Sequence, residues 1–187
     1  MSKQIDGPKR LARKVIYENP WVNLYVDRVQ LPDGRIINEQ HMLDFDMDAV
    51  AVLITNQQGY VLMIQSYRYP TQTVEWEIPA GVVDEGESVL ETAQREALEE
   101  TGYEVTTPEP VYTYYPFVGM ANKVYHITRC RVLEKVADFD HNEVRSLRWV
   151  SRAEIRQMIS GGIIRDGFTL TALLLNDLDM VGQQPLL

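Results

Sequence analysis

Apolar and polar positions alternate through residues 21–31, "WVNLYVDRVQL", and a turn signal, "PDG" at 32–34, separates this run from "RIINEQHML". Residues 21–43 therefore predict a β-hairpin. "DAVAVLIT" (48–55) and "YVLMIQSY" (60–67) are apolar runs joined by "NQQG", which predicts a second hairpin near the core. "EWEIPAG" (75–81) reads as a short strand stopped by Pro and Gly, and "PVYTYY" (110–115), "NKVYHITRCRVL" (122–133) and "SLRWV" (146–150) read as further strands. Between them the pattern predicts a helix over about 89–100. Ser88 offers an N-cap, Glu91 completes a capping box, and Gly102 suits the left-handed position past the end. Ser151 with Glu154 repeats the capping-box spacing for a second helix, which Gly161 and Gly162 end. An amphipathic segment over 169–180, "TLTALLLNDLDM", predicts a last helix.

Strands thus surround a central helix without strict βαβ alternation, so the fold class is α/β with a mixed sheet and helices on its faces. The one candidate boundary lies near residues 43–48, making the first hairpin a small subdomain. The chain of 187 residues, 45% apolar and 24% charged, is long enough for a real core. No apolar run approaches the roughly 18 residues that span a bilayer, and "MSKQIDGPKRLARK" lacks the apolar stretch of a secretory signal. The lone Cys130 excludes a disulfide framework and a multi-cysteine zinc site, and reads as a small core or strand residue. These features point to the cytoplasm. The net charge of −9 repels nucleic acid and gives no cause to expect a membrane partner. "KRLARK", the basic cluster near the N-terminus, reads as a solvated terminal segment. An acidic chain acting on an anionic substrate needs a cation between the two, which favours a metal.

The segment "GVVDEGESVLETAQREALEETGY" (81–103) is dense in carboxylates, with Arg95 its one basic residue. On the helix Glu96, Glu99 and Glu100 fall within an arc of about 100°. Glu96 and Glu100 stack as a repelling i, i+4 pair, and acids in a last turn oppose the helix dipole. We expect the helix to bury its apolar side and present these acids on another face, with no lysine or arginine four residues away to pair with them. A plain solvated acidic face is the alternative. The poor placement of the acids and the specialised loop "PAG…DEGE" favour a divalent cation, and hard oxygen donors suit Mg²⁺ or Mn²⁺.

Gly81, Glu87, Arg95, Glu96, Glu99, Glu100 and Gly102 stand at every fixed position of the pattern G-x5-E-x7-REU-x-EE-x-GU, with Ala97 and Tyr103 filling the bulky U positions loosely. In this the chain resembles the Nudix hydrolases. The resemblance implies a Nudix-type α/β/α sandwich over residues 46–187, with residues 1–45 as an N-terminal β-hairpin subdomain exchanged across a homodimer. It implies Mg²⁺, with Mn²⁺ as substitute, held by Glu96 and Glu100 together with Glu87 and the carbonyl of Ala80. Glu99 matches a ligand or base position, and Arg95 orients the glutamates. A bound metal would neutralise a diphosphate and acidify the water that attacks phosphorus.

"SYRYP…VEWEIPAG" resembles the ADP-ribose and nucleoside-diphosphate-sugar pyrophosphatases within that family. The resemblance puts Arg68 on phosphate, with a salt bridge to an acidic sheet edge as the alternative, and Glu75 or Glu77 as the acid before "PAG". Trp21 matches an aromatic that stacks on the base, or is simply packed. Pro116 matches a proline beyond the box, although the usual "SPGG" is absent, which leaves other nucleoside diphosphate sugars open. "GGIIRDGFTLTALLL" resembles the C-terminal end of the same group. A base outside the box is expected on the loop before the last strand, where Glu143 is the candidate and a solvated loop acid the alternative. His126 and His141 lack ligand spacing and read as strand or surface residues. The expected activity is Mg²⁺-dependent hydrolysis of ADP-ribose or a related nucleotide sugar to a nucleoside monophosphate and a sugar phosphate. Dinucleoside polyphosphate or coenzyme A cleavage, and a non-catalytic nucleotide-sugar sensor, are the competing readings.

Overall fold

The computed structural model describes residues 7–178. They form two compact units, one built from the described residues as far as Met47 together with Tyr115–Lys123, the other from Asp48–Tyr114 and the chain from Val124 onward.

In the first unit β1 (Lys9–Tyr17), β2 (Asn23–Gln30) and β3 (Ile36–Asp44) make an antiparallel sheet in the order β1-β2-β3. The β2–β3 hairpin is the one the alternation predicts, turning at Gly34 with φ 86°. The basic cluster is solvated, as its composition suggests, but it is also a strand: it lies in β1, so the subdomain is a three-stranded sheet rather than a hairpin. Pairing with β2 draws it in, and Arg13 donates through Nε and Nη2 to the buried Asp27, both at 2.8 Å, with its guanidinium 4.0 Å from the Tyr25 ring centroid. That bidentate pair holds the Asp27 carboxyl below the usual carboxylate range. Residues 115–123 return to the end of β3, where the Leu43 amide donates to Met120 O at 2.8 Å and Asn122 Nδ2 to Asp44 at 2.7 Å.

The second unit is built on β4 (Ala49–Thr55), whose first six residues are all buried. Alternate side chains of a strand point to opposite faces, so a strand this uniformly apolar must be covered on both. Ala49, Ala51 and Leu53 join Met63, Ile78 and Ile127 under residues of α2 (Arg152–Ser160) and α3 (Gly167–Asp177), notably Ile155, Met158, Phe168 and Leu173. Val50, Val52 and Ile54 meet Ala93 and Ala97 of α1 (Val89–Thr101) on the other face. The result is an α/β/α sandwich around a mixed sheet. Its path is β11-β5-β4-β10-β8, with β5 (Val61–Arg68), β8 (Tyr103–Val105), β10 (Tyr125–Lys135) and β11 (Val144–Val150). β4 and β10 run parallel, and β9 (Glu109–Tyr114) pairs with β10 antiparallel. Cys130 is a buried strand residue, its thiol pushed up to about 12 by burial.

The predicted β4–β5 hairpin is real at its turn and then opens. The strands pair at Thr55 and Val61 and diverge, because β6 (Thr73–Glu77) pairs with β5 while β7 (Ala80–Val82) pairs with β4. The segment 73–82 is thus wedged into the split, anchored by Val52 N–H to Pro79 O at 2.8 Å. The split brings "PAG" beneath α1. Among the described residues no helix is long and apolar enough to cross a membrane.

Candidate active site

Both ends of α1 follow local rules. Ser88 and Glu91 form the reciprocal capping box, and Gly102 takes the left-handed conformation with φ 73° while its N–H reaches Leu98 O at 2.8 Å. α2 shows half of its expected box, the Ser151 side chain accepting from the Glu154 amide. α3 starts earlier than the sequence suggests, at Gly167 behind the Asp166 cap, and residues 179–180 of the predicted segment lie outside the described residues.

The orientation of α1 overturns one expectation. The helix buries the face carrying Thr92, Ala93, Glu96, Ala97, Glu100 and Thr101, and leaves Leu98 exposed. Glu96 and Glu100 are only 7% and 4% exposed, so two of the acids are inside. Small Ala93 and Ala97 let the helix approach β4 and β7 closely, and the acids beside them come down onto the end of β7. Ala80 N–H donates to Glu100 Oε2 at 2.8 Å. At Gly81 a methyl group would overlap the Glu96 carboxylate, so glycine is what makes room for that side chain.

A second expectation, that no lysine or arginine four residues away pairs with these acids, fails at Glu99. Arg95 Nη1 donates to Glu96 at 2.8 Å and to Glu99, four residues on, at 3.0 Å. Its Nε and Nη2 reach Glu87 at 3.0–3.3 Å, and Thr92 Oγ1 donates to the same carboxylate at 2.8 Å. Arg95 is the hub that gathers the box acids, and its hydrogen bonds hold the Glu87 carboxyl below the usual range. Glu100 is different. Among the described residues it has no ion pair, and burial pushes its carboxyl up to about 8. The Ala80 amide works against that rise, the charges of Glu96 and Glu143 add to it, and Arg68 opposes it. Glu96 is also raised, by burial first, with Arg95 opposing and the charges of Glu99 and Glu143 adding. Glu143, exposed in the turn before β11, therefore acts on both buried acids.

Among the described residues no three His, Cys, Asp or Glu side chains already converge as a metal site. The donor chemistry nonetheless fits a hard divalent cation. Glu87, Glu96 and Glu99 are oxygen donors gathered on Arg95, Glu96 also lies against Gly81, and Glu100 is a buried carboxylate with no ion pair among the described residues.

On the other side of the wedge Arg68, Glu75 and Glu77 line a groove of about 400 Å³ with Arg165 and Asp166. Arg68 donates to Glu77 through both Nε and Nη2, so the salt-bridge alternative holds for it. Arg165 grips Glu75 the same way, at 3.0 and 2.6 Å. Burial raises Glu77 against the pull of Arg68; at Glu75 burial is outweighed by Thr73 and Arg165, which hold the carboxyl low. Sequence reasoning passed over Arg165. The available signal was the i, i+2 spacing of Glu75 and Glu77, which puts two acids on one face of a strand and calls for two cations. Trp21 and Pro116 belong to the first unit: Trp21 is 70% exposed, not packed, and Pro116 sits half-buried in the 115–123 segment. His126 is a buried strand residue between Thr113 and Asp48, each at 3.0 Å, and His141 is exposed beside Asp138.

Residues 46–168 match the NUDIX domain and residues 8–38 the nucleoside diphosphate sugar hydrolase N-terminal domain, so the chain belongs to the Nudix hydrolase family. Members of this family generally use divalent cations such as Mg²⁺. The chain is 29% identical to an ADP-ribose pyrophosphatase of Bacillus subtilis over 168 residues, covering 88% of this chain and 90% of that one. It is 28% identical to a CMP-5'-(N-acetyl-N-hydroxy-3-aminopropyl)phosphonate hydrolase of Streptomyces rubellomurinus, covering 93% and 84%. A solved ADP compounds hydrolase superposes with a TM-score of 0.81 at 18% identity, covering 99% of this chain and all of that one, which shows the shared fold.

Proposed function

We propose that this enzyme hydrolyses the diphosphate bond of ADP-ribose or a related nucleoside diphosphate sugar with Mg²⁺, releasing a nucleoside monophosphate and a sugar phosphate. The observation that carries the reading is Glu100, a buried carboxylate without an ion pair among the described residues, within the electrostatic reach of Arg68 at the groove. The ADP-ribose name of the Bacillus subtilis relative supports the substrate. Glu96 and Glu100, with Glu87, Glu99 and the Ala80 carbonyl, would hold Mg²⁺ or Mn²⁺. Bound there, the cation supplies charge neutralisation for the diphosphate and lowers the pKa of water. Arg68 keeps Nη1 without a partner among the described residues, free to donate to diphosphate oxygens. Arg95 fixes Glu87, Glu96 and Glu99 rather than touching substrate. Because Arg95 engages Glu99, Glu143 is the better base to take the proton of the attacking water. Incubation with Mg²⁺ and ADP-ribose, GDP-mannose, UDP-glucose, diadenosine polyphosphates and coenzyme A, with products identified by mass, tests the substrate. Nucleoside monophosphate and sugar phosphate are expected; cleavage of polyphosphates or coenzyme A alone would sink the reading.

The proposal includes a homodimer in which the N-terminal sheet meets its copy and Trp21 serves the base pocket. Leu11, Val15 and Tyr17, spaced along β1, are roughly half exposed, as is expected of a strand awaiting a partner. Light scattering at micromolar concentration should return twice the chain mass of 21.5 kDa; a monomer there refutes the dimer.

A further inference from the structure

The groove beside Arg68 holds two arginine–glutamate pairs in parallel. Glu75 and Glu77 lie two residues apart on β6, so they share a face about 7 Å apart. Each carboxylate takes the Nε and Nη2 edge of its arginine, Glu77 from Arg68 and Glu75 from Arg165. Both guanidiniums are therefore fixed in orientation, with Nη1 unpartnered among the described residues, and both side chains are about half exposed. Thr71 and Thr73 add hydroxyls and Asp166 a third carboxylate.

This donor set says what the Arg165 end can take. Two guanidiniums face three carboxylates, so the groove has no surplus of positive charge with which to hold a further phosphate. Among the described residues no aromatic ring lines it, so it offers a base nothing to stack on. Fixed donors beside fixed acceptors suit vicinal hydroxyls, which both give and accept hydrogen bonds. Resting on the proposed nucleotide-sugar activity, we propose that Arg165, braced by Glu75, is a specificity-determining residue that reads the hydroxyls of the sugar beyond the diphosphate.

The test compares ADP-ribose with the methyl ester of ADP, which keeps the diphosphate and replaces the sugar by a methyl group. The ratio of kcat/KM for the two, ribose over methyl, is measured for wild type, Arg165→Gln and Arg165→Lys, alongside each melting temperature. In Arg165→Gln the ratio is expected to fall about tenfold, the scale of one charge-assisted hydrogen bond, with the change in KM for ADP-ribose. Arg165→Lys keeps the charge but not the fork and should recover part of the ratio. If Arg165→Gln melts below assay temperature, Arg165→Lys carries the comparison, and a ratio equal to wild type overturns the assignment. An unchanged ratio in a folded Arg165→Gln, whether both rates hold or both fall together, also overturns it. A wild-type enzyme that cleaves neither compound overturns the substrate reading itself, a result distinct from any ratio.

Discussion

Glu100→Gln is expected to lower Mg²⁺-dependent turnover by at least about a hundredfold, the few kcal/mol that a metal's charge stabilisation supplies, while stabilising the protein in chelator at high pH. The substitution keeps an oxygen to accept from the Ala80 amide and removes only the charge, so the two effects share one cause. Burial raises the Glu100 carboxyl from its ordinary 4.5 to about 8 in the folded state. Its neutral form therefore contributes stability in full below 4.5, and that contribution is lost as pH rises through about 8. Glutamine never ionises. The variant's advantage over wild type should be absent near pH 4.5, grow as pH rises through 8, and reach about 1–3 kcal/mol at pH 9. Urea unfolding across that range, in chelator, measures it. Turnover equal to wild type would remove Glu100 from the metal set; equal stability at pH 9 would mean its carboxylate is not uncompensated.

What the sequence made legible follows the range of the forces involved. The capping box of α1 and the αL glycine at 102 are side-chain and backbone contacts within a few residues, and they are where the spacing puts them. The apolar run of β4 was legible as a strand near the core, and the missing βαβ alternation as a mixed sheet, whereas the sandwich came with the family resemblance. β1 was missed because "KRLARKVIY" has no alternating apolar face; it is a strand through pairing with β2 and through Arg13 on Asp27, contacts 14 residues apart. The acids of α1 were expected outside because carboxylates usually are. Which face of a helix is buried is decided by what it packs against, and here Ala93 and Ala97 seat the acid-bearing side on the sheet. The Arg95–Glu99 pair, by contrast, was readable from i, i+4 spacing alone. Arg165 lies 90 residues from the carboxylate it grips, so the paired acids of β6 call for a second cation without saying which one.

Gly81→Ala should separate the site from the fold. A methyl group there overlaps the Glu96 carboxylate, the far end of a flexible side chain, and Gly81 does not hold a positive φ. The chain can yield by rotating that carboxylate away, so the stability change should stay within about 1 kcal/mol, as for a change that leaves backbone and core packing intact. The same methyl at Gly102 would meet the main-chain oxygen of Ala137 at a φ of +73°, where nothing flexible can give. Rotating Glu96 off its position breaks the set that Arg95 assembles, because Glu96 is one of the three acids that accept hydrogen bonds from that guanidinium among the described residues. Misplacing a ligand should weaken metal binding by at least the roughly 10–100-fold seen when a ligand's support is lost, with turnover falling in step at fixed Mg²⁺. Calorimetric titration with Mn²⁺ beside thermal melting reads both quantities on one preparation. Weakened binding with an unshifted melting temperature is the expected pairing. Wild-type affinity in Gly81→Ala would mean that Glu96 holds no metal from the position it occupies beneath the helix.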